Sequence, residues 1–135
     1  MPFTFDASGA LAKLQRLKDN IQPALKAGAV SVLADAVLTV KNQGNGEWAP
    51  FKHTPSRPHN LLWDTGGLVQ SMNVQAGILE VGSDWITIGS NLRYASVQQL
   101  GYSGFNIPAR PFFTFDAGVQ ARAKSAFAKR LFQGL

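Results

Sequence analysis

The chain has 135 residues, of which 45% are hydrophobic and 16% are charged, and its formal net charge is +5. This length and composition predict one folded domain with a hydrophobic core. The absence of cysteine excludes disulfides, thiolate nucleophiles and zinc–cysteine sites. The N-terminus lacks the pattern of a signal peptide, and we expect no stretch to approach the roughly 20 apolar residues that span a bilayer.

The first third of the chain is predicted to be helical after a short arm. The arm, residues 1–7, carries Phe3 and Phe5. Apolar residues then recur at helical spacing, and Pro23 either begins a second helix or kinks the first. Residues 24–41 keep their apolar side chains on one face, which predicts a long amphipathic helix that ends at the following glycine-rich turn.

The irregular part of the sequence follows this turn. Residues 47–63 predict a long proline-rich loop, with three aromatic side chains expected to anchor it: Trp48, Phe51 and Trp63. A loop of this length in a domain is usually functional or mobile. In the segment D-T-G-G-L-V-Q-S, residues 64–71, we expect Asp64 to cap a single helical turn.

A β-hairpin is predicted from the weak alternation over residues 72–81 and the apolar run over 85–88. A short helix is expected over 91–100. The segment 107–115 is expected to add a strand to the hairpin, because a two-stranded sheet alone is marginal in water.

The last predicted helix runs over 116–132, with Asp116 at its start and a basic face. In one interpretation that face binds DNA phosphates. In the other it is exposed to solvent or lies against acidic groups of a neighbour. We favour the second interpretation, because no aromatic interleaving or groove-reading motif accompanies the charge.

Together these elements predict an α+β fold, in which N-terminal helices pack on a small antiparallel sheet, with a long proline-rich loop and a C-terminal helix. We expect a single domain over 1–135. Its ends are the arm with the first helix, residues 1–20, and the C-terminal helix, residues 116–135.

The sequence carries no recognisable catalytic set. His53 and His59 are the only histidines, and no carboxylate has ligand spacing to them, so we interpret them as loop residues. The eight acidic residues are scattered singly, and the glycines match no phosphate-binding pattern. We expect no catalytic, metal-binding or cofactor-binding residues.

The segment I-P-A-R-P-F-F, residues 107–113, is the most distinctive feature of the sequence. Proline fixes the backbone and favours extended geometry at the preceding residue, so this segment is expected to be stiff. It carries one guanidinium, Arg110, which is suited to a bidentate pair with a carboxylate. That carboxylate lies either in the same chain or in a neighbouring subunit.

Three motifs in this order resemble the phage virion morphogenesis, or tail completion, family of Mu-like tailed phages. They are D-T-G-G-L-V-Q-S at 64–71, G-S-N-L-R-Y-A-S-V-Q-Q-L-G at 89–101 and I-P-A-R-P-F-F at 107–113. The W-A-P-F sequence at 48–51 also fits the family pattern. The resemblance covers roughly residues 20–115.

The resemblance implies a non-enzymatic structural protein of the phage neck, which completes or terminates the tail or joins it to the head. The positions that match the family are Trp48, Asp64, Gly66, Leu68, Ser71, Tyr94, Ala95, Gln99, Gly101, Pro108, Arg110, Pro111 and Phe112. Of these we expect the following in subunit interfaces: Trp48, Asp64, Tyr94, Gln99, Arg110, Pro111 and Phe112. The chain departs from the family at Gln98, where the family often has histidine, so no proton-switching role is carried over.

The partners that the resemblance implies are further copies in a ring, with six expected, and the connector and tail-tube proteins. DNA would pass through the lumen without sequence-specific contact, and no membrane is expected. The location would be the virion neck or tail, and the host cytoplasm during assembly. The alternative hypothesis is a basic accessory protein that binds nucleic acid.

Overall fold

The computed structural model describes residues 1–51, 60–62, 66–73, 75 and 77–135, and shows an α+β fold. Its elements in chain order are α1 (Ser8–Lys41), a 3₁₀ turn (Gln43–Gly46), α2 (Gly67–Ser71), β1 (Ile78–Val81), β2 (Ile86–Gly89), α3 (Ala95–Leu100), a 3₁₀ turn (Ser103–Phe105) and α4 (Ala117–Leu131). His53, His59, Trp63 and Asp64 lie outside the described residues.

The N-terminal helical region is one continuous helix of 34 residues, α1, rather than two. Pro23 lies inside it. Proline removes one backbone hydrogen bond from a helix, and the strong apolar stripe that follows it packs in the core and holds the helix together.

Before the helix, the Asp6 carboxylate accepts a hydrogen bond from the Ser8 backbone N–H at 2.9 Å. Hydrogen bonds from Ser8 lower the pKa of Asp6.

By length and composition, α1 is also long and apolar enough to cross a membrane, since an 18-residue window in it has a mean hydropathy of 1.5. The expectation that no stretch is long and apolar enough to span a bilayer is therefore wrong, because the many alanines of this helix raise its hydropathy. Core helices and N-terminal signal sequences have the same properties. In this structure 28% of that 18-residue window is buried inside the protein, and α1 packs on α4 and the core.

Helix α4 packs along α1 in the antiparallel direction. Asp35 near the end of α1 pairs with Arg122 near the start of α4 at 3.0 Å. At the other end, the Asn20 side-chain amide donates to the Leu131 carbonyl at 2.9 Å. The helix begins directly after Asp116, where the sequence predicted its start, and the Asp116 carboxylate caps it by accepting from the Val119 N–H at 2.9 Å.

The main core lies where α1, α2, α3 and the 107–113 segment meet. It consists of Leu33, Ala36, Val40, Trp48, Leu68, Met72, Ala95 and Phe112. The largest fully buried side chains are Phe112, Leu68 and Val40. Phe112 is therefore a core residue of its own subunit, and only 1% of its surface is exposed.

The predicted hairpin is present, with β1 and β2 antiparallel and Leu79 opposite Ile88. It is shorter than expected: Met72 follows α2 and is buried in the core, and β1 begins only at Ile78. The expected third strand over 107–115 is absent from this described segment, where the ladder is limited to one bridge between Tyr102 and Ile107. Two prolines in the segment remove the N–H groups that a continuous ladder needs.

The turn after α1 depends on backbone that favours glycine. Gly44 has φ +72°, and a Cβ at this position would overlap the indole ring of Trp48. Gly44→Ala is expected to lower the free energy of unfolding by about 2–5 kcal/mol, from left-handed strain together with displacement of a core tryptophan. Urea unfolding of the variant measures this loss.

Gly46 is the matched control for that substitution. It has φ +82°, but nothing lies within 4 Å of a Cβ added there. Gly46→Ala is expected to cost only the backbone strain of about 1–2 kcal/mol. Equal losses for the two variants would contradict the role given to the Trp48 contact.

Candidate assembly site

Three chain segments meet in one hydrogen-bonded site, which we call the arginine clasp. Its parts are residues 48–51 of the loop after α1, residues 98–99 of α3 and residues 110–113 of the proline segment. Each part lies within a motif that carries the family resemblance. The clasp therefore brings together stretches that are separated by more than 60 residues in the sequence.

The centre of the clasp is the guanidinium of Arg110, a residue that is only 8% exposed. Its Nε donates to the Ala49 carbonyl at 2.8 Å, and its Nη2 donates to the Pro50 carbonyl at 3.0 Å. The guanidinium carbon also lies 5.9 Å from the centre of the Phe51 ring, a cation–π distance. Two carbonyl dipoles and an aromatic face thus stabilise a charge that is largely removed from water.

This arrangement corrects the expected partner of Arg110. The two acceptors are backbone carbonyls of the same chain, and no carboxylate among the described residues forms an ion pair with it. Burial lowers the pKa of Arg110 from its usual range. Both hydrogen bonds are made within one chain, so Arg110 links the proline segment to the loop after α1.

Gln99 holds the other side of the proline segment. Its Oε1 accepts from the N–H groups of Phe112 and Phe113, each at 3.0 Å, and its Nε2 donates to the Phe113 carbonyl at 2.8 Å. One primary amide thereby replaces the ladder that a neighbouring strand would supply. The Arg110 N–H completes this edge by donating to the Gln98 carbonyl at 2.8 Å.

Trp48 ties the loop to the same segment. Its indole N–H donates to the Pro111 carbonyl at 3.1 Å, while its ring is buried in the core. Pro111 itself is exposed and contributes a carbonyl and a fixed backbone. The structure therefore brings together five of the residues expected in interfaces: Trp48, Gln99, Arg110, Pro111 and Phe112.

The two remaining residues of that set lie elsewhere. Tyr94 precedes α3, and 46% of its surface is exposed, so its ring is accessible to a partner. Asp64 is outside the described residues. The prediction that it is the N-cap of this helical turn is wrong, because α2 begins at Gly67 and its N-cap is Gly66. Gly66 has φ +80°, a conformation that favours glycine.

Sequence reasoning missed the structural role of Gln43 and the unpaired buried oxygen of Gln98. Gln43 uses its side-chain amide to bond the Val40 and Leu61 carbonyls and the Leu61 N–H, so it fastens the end of the proline-rich loop to α1. Gln98 has a buried side-chain Oε1 without a hydrogen-bond partner among the described residues. No local sequence signal distinguishes either glutamine from a surface residue.

A polar cleft of about 590 Å³ lies beside the clasp, between α1 and α4. Three carboxylates line it. Asp35 pairs with Arg122, Asp116 caps α4, and the third is the exposed Glu47. Within the described residues, no three metal-ligating side chains come together.

No protein-family model, curated protein or solved structure matches this chain. The likeness to the tail completion family consequently depends on the four short motifs alone.

The two adjacent glutamines of α3 give a matched test of the clasp. Gln99→Met removes three hydrogen bonds and leaves two N–H groups and one carbonyl without partners, so we expect a loss of about 2–4 kcal/mol in the free energy of unfolding. Gln98→Met removes an unpaired buried oxygen and keeps the shape, so we expect a change within about 1 kcal/mol. Denaturant unfolding of both variants checks this, and a larger loss at Gln98 would refute the assignment.

Arg110→Ala should also destabilise the isolated subunit, by about 3 kcal/mol or more, since two charge-assisted hydrogen bonds are lost and two carbonyls are left unpaired. Lys124→Ala, on the exposed side of α4, should change stability by less than about 0.5 kcal/mol. Thermal unfolding of dilute protein compares the two. Equal stability of the two variants would show that the hydrogen bonds of Arg110 do not stabilise the fold of its own chain.

Proposed function

We propose that this protein is a structural component of a phage neck, which completes the tail or joins it to the head as a ring around the DNA channel. The observation that carries the proposal is the convergence of the motif residues in the arginine clasp. Residues that resemble the family at 48–51, 98–99 and 110–113 contact one another through specific hydrogen bonds. Motifs matched by chance would have no reason to meet in the fold.

The clasp supports this function by making a rigid subunit. A ring closes only if each subunit presents its two contact surfaces at a fixed angle. The clasp fixes the proline segment against both α3 and the loop after α1, so the surfaces carried by these elements keep one orientation. In this proposal the clasp residues act by shaping the subunit, and exposed side chains such as Tyr94 make the contacts between copies.

Exposed apolar side chains are a second support. Leu11, Leu100, Phe105 and Phe115 are each more than half exposed. Large apolar side chains that are this exposed are available for contacts with other proteins. Ring neighbours and the adjoining connector and tail-tube proteins would cover such surface in the assembled neck.

The alternative, a basic protein that binds nucleic acid, stays a prediction with less support. Two of the basic residues of α4 are engaged within the subunit: Arg122 pairs with Asp35, and the Arg130 guanidinium donates to the Asn20 side chain at 3.2 Å. Binding to duplex DNA that weakens steeply with salt would favour this alternative.

The proposal is tested in the phage that encodes the protein. A nonsense mutation in the coding sequence should yield filled heads and separate tails, and purified protein added to such a lysate should restore joined particles. Electron microscopy of the neck should show the protein there as a ring. Its absence from finished particles, or normal particles in the nonsense mutant, would refute the proposal.

A further inference from the structure

An apolar groove of about 510 Å³ runs between α1, β2 and α4. We call it the Phe127 groove, and its main lining side chains are Leu25, Val32, Ile86, Ile88, Phe115 and Phe127. Its lining includes one charged residue, Lys124. A groove of this kind at the junction of three elements is suited to large apolar side chains from a partner.

The N-terminal arm, residues 1–7, has complementary properties. Phe3 is 92% exposed and Phe5 is 83% exposed, and the arm has no helix or strand structure. The two phenylalanines are two residues apart, so they share one face when the arm is extended. Ile86 and Ile88 in the groove have the same spacing on β2. Asp6, the acidic residue of the arm, follows Phe5 directly and complements the charge of Lys124.

The arm of a subunit is too short to fill its own groove. The middle of the groove is at Ala29, which is 21 residues and so about 32 Å along α1 from Ser8. Fully extended, the chain from Ser8 back to Phe3 spans at most about 18 Å, and back to Phe5 about 11 Å. An arm that fills this groove must therefore belong to another copy of the chain.

We infer that the arm of one copy docks in the Phe127 groove of the next copy, with Phe3 and Phe5 as anchors and Asp6 beside Lys124. This inference rests on the proposed ring function and names the contact that joins neighbours. The contact is head-to-tail, since each copy gives one arm and receives another, and such a contact propagates into a ring when the angle closes.

The size of the contact explains why it requires a ring. Two buried phenylalanines remove roughly 300–500 Å² of arm surface from water, and a matching area of the groove brings the total to roughly 600–1,000 Å². Stable pairs of proteins usually bury about 1,200 Å² or more. A single arm contact is thus weak. In a closed ring every copy takes part in two arm contacts, one through its arm and one through its groove, and this makes the assembly stable.

The test uses the absence of cysteine from the chain. Thr4→Cys keeps both phenylalanines, and Val32→Cys places a thiol in the groove. The two purified variants are mixed at high protein concentration and treated with a short bis-maleimide cross-linker. We expect a cross-linked heterodimer, because the arm of one copy lies in the groove of the other.

Ala34→Cys is the matched control on the same helix. It is two residues from Val32, so it lies on the opposite face of α1, where it lines a different groove. Cross-linking of Thr4→Cys to Val32→Cys should exceed that to Ala34→Cys by more than about tenfold, because each buried phenylalanine favours the docked arm by more than the free energy of a tenfold change. Adding Phe3→Ser and Phe5→Ser should abolish the difference without changing the circular dichroism spectrum.

Equal cross-linking at both positions, or none at Val32→Cys, would overturn the inference. So would protection of the Val32→Cys thiol in particles that carry Phe3→Ser and Phe5→Ser, because another protein would then occupy the groove. These outcomes are separable from failure of the proposed function. If arm-deleted protein still forms neck rings, the docking inference fails while the neck function stands.

Discussion

The backbone N–H and carbonyl groups of the proline segment need hydrogen-bond partners, and this need determines how the protein is organised. Residues 107–113 carry two prolines, which prevent a continuous β-ladder. Their remaining N–H and carbonyl groups lie beside the core, where unpaired polar groups are costly. Gln99, Trp48 and the main chain of Gln98 supply the missing partners, and Arg110 extends the same network to the loop after α1. The core residue Phe112 is held in place by this network.

This constraint changes the role of the conspicuous arginine. A guanidinium between two prolines suggests recognition of a partner, but its donors are used on carbonyls within the subunit. In the proposed function the clasp contributes through the shape and stiffness of each copy, and exposed side chains make the contacts between copies. The exposed arm, the Phe127 groove and Tyr94 are the features that remain accessible to other chains.

Much of the fold was predictable because its signals are local. The apolar stripe of α1, the start of the last helix at Asp116 and the β-hairpin each depend on residues close in sequence, and each is confirmed. The sequence left open whether Pro23 begins a second helix or kinks the first, and it predicted a strand over 107–115 that this described segment does not form. In both cases tertiary packing and distant side chains decide how backbone groups are satisfied, and periodicity carries no information about them.

The site was predictable in its residues but not in their chemistry. The sequence identified Trp48, Gln99 and Arg110 as a set through the resemblance, yet it indicated a carboxylate for Arg110 and contacts between copies. Carbonyl acceptors such as those of Ala49 and Pro50 have no signature in the sequence, because every residue carries one. The orphaned Gln98 oxygen likewise depends on the position of neighbours in space.

Native-state hydrogen exchange of the Arg110, Phe112 and Phe113 amides tests the rigidity of the clasp most directly. These three N–H groups bond to Gln98 and Gln99, so the account predicts that they exchange only through global unfolding, as slowly as the core of α1. Exchange through local opening, far faster than that of the α1 core, would mean that the proline segment is not held by the clasp and would contradict the account.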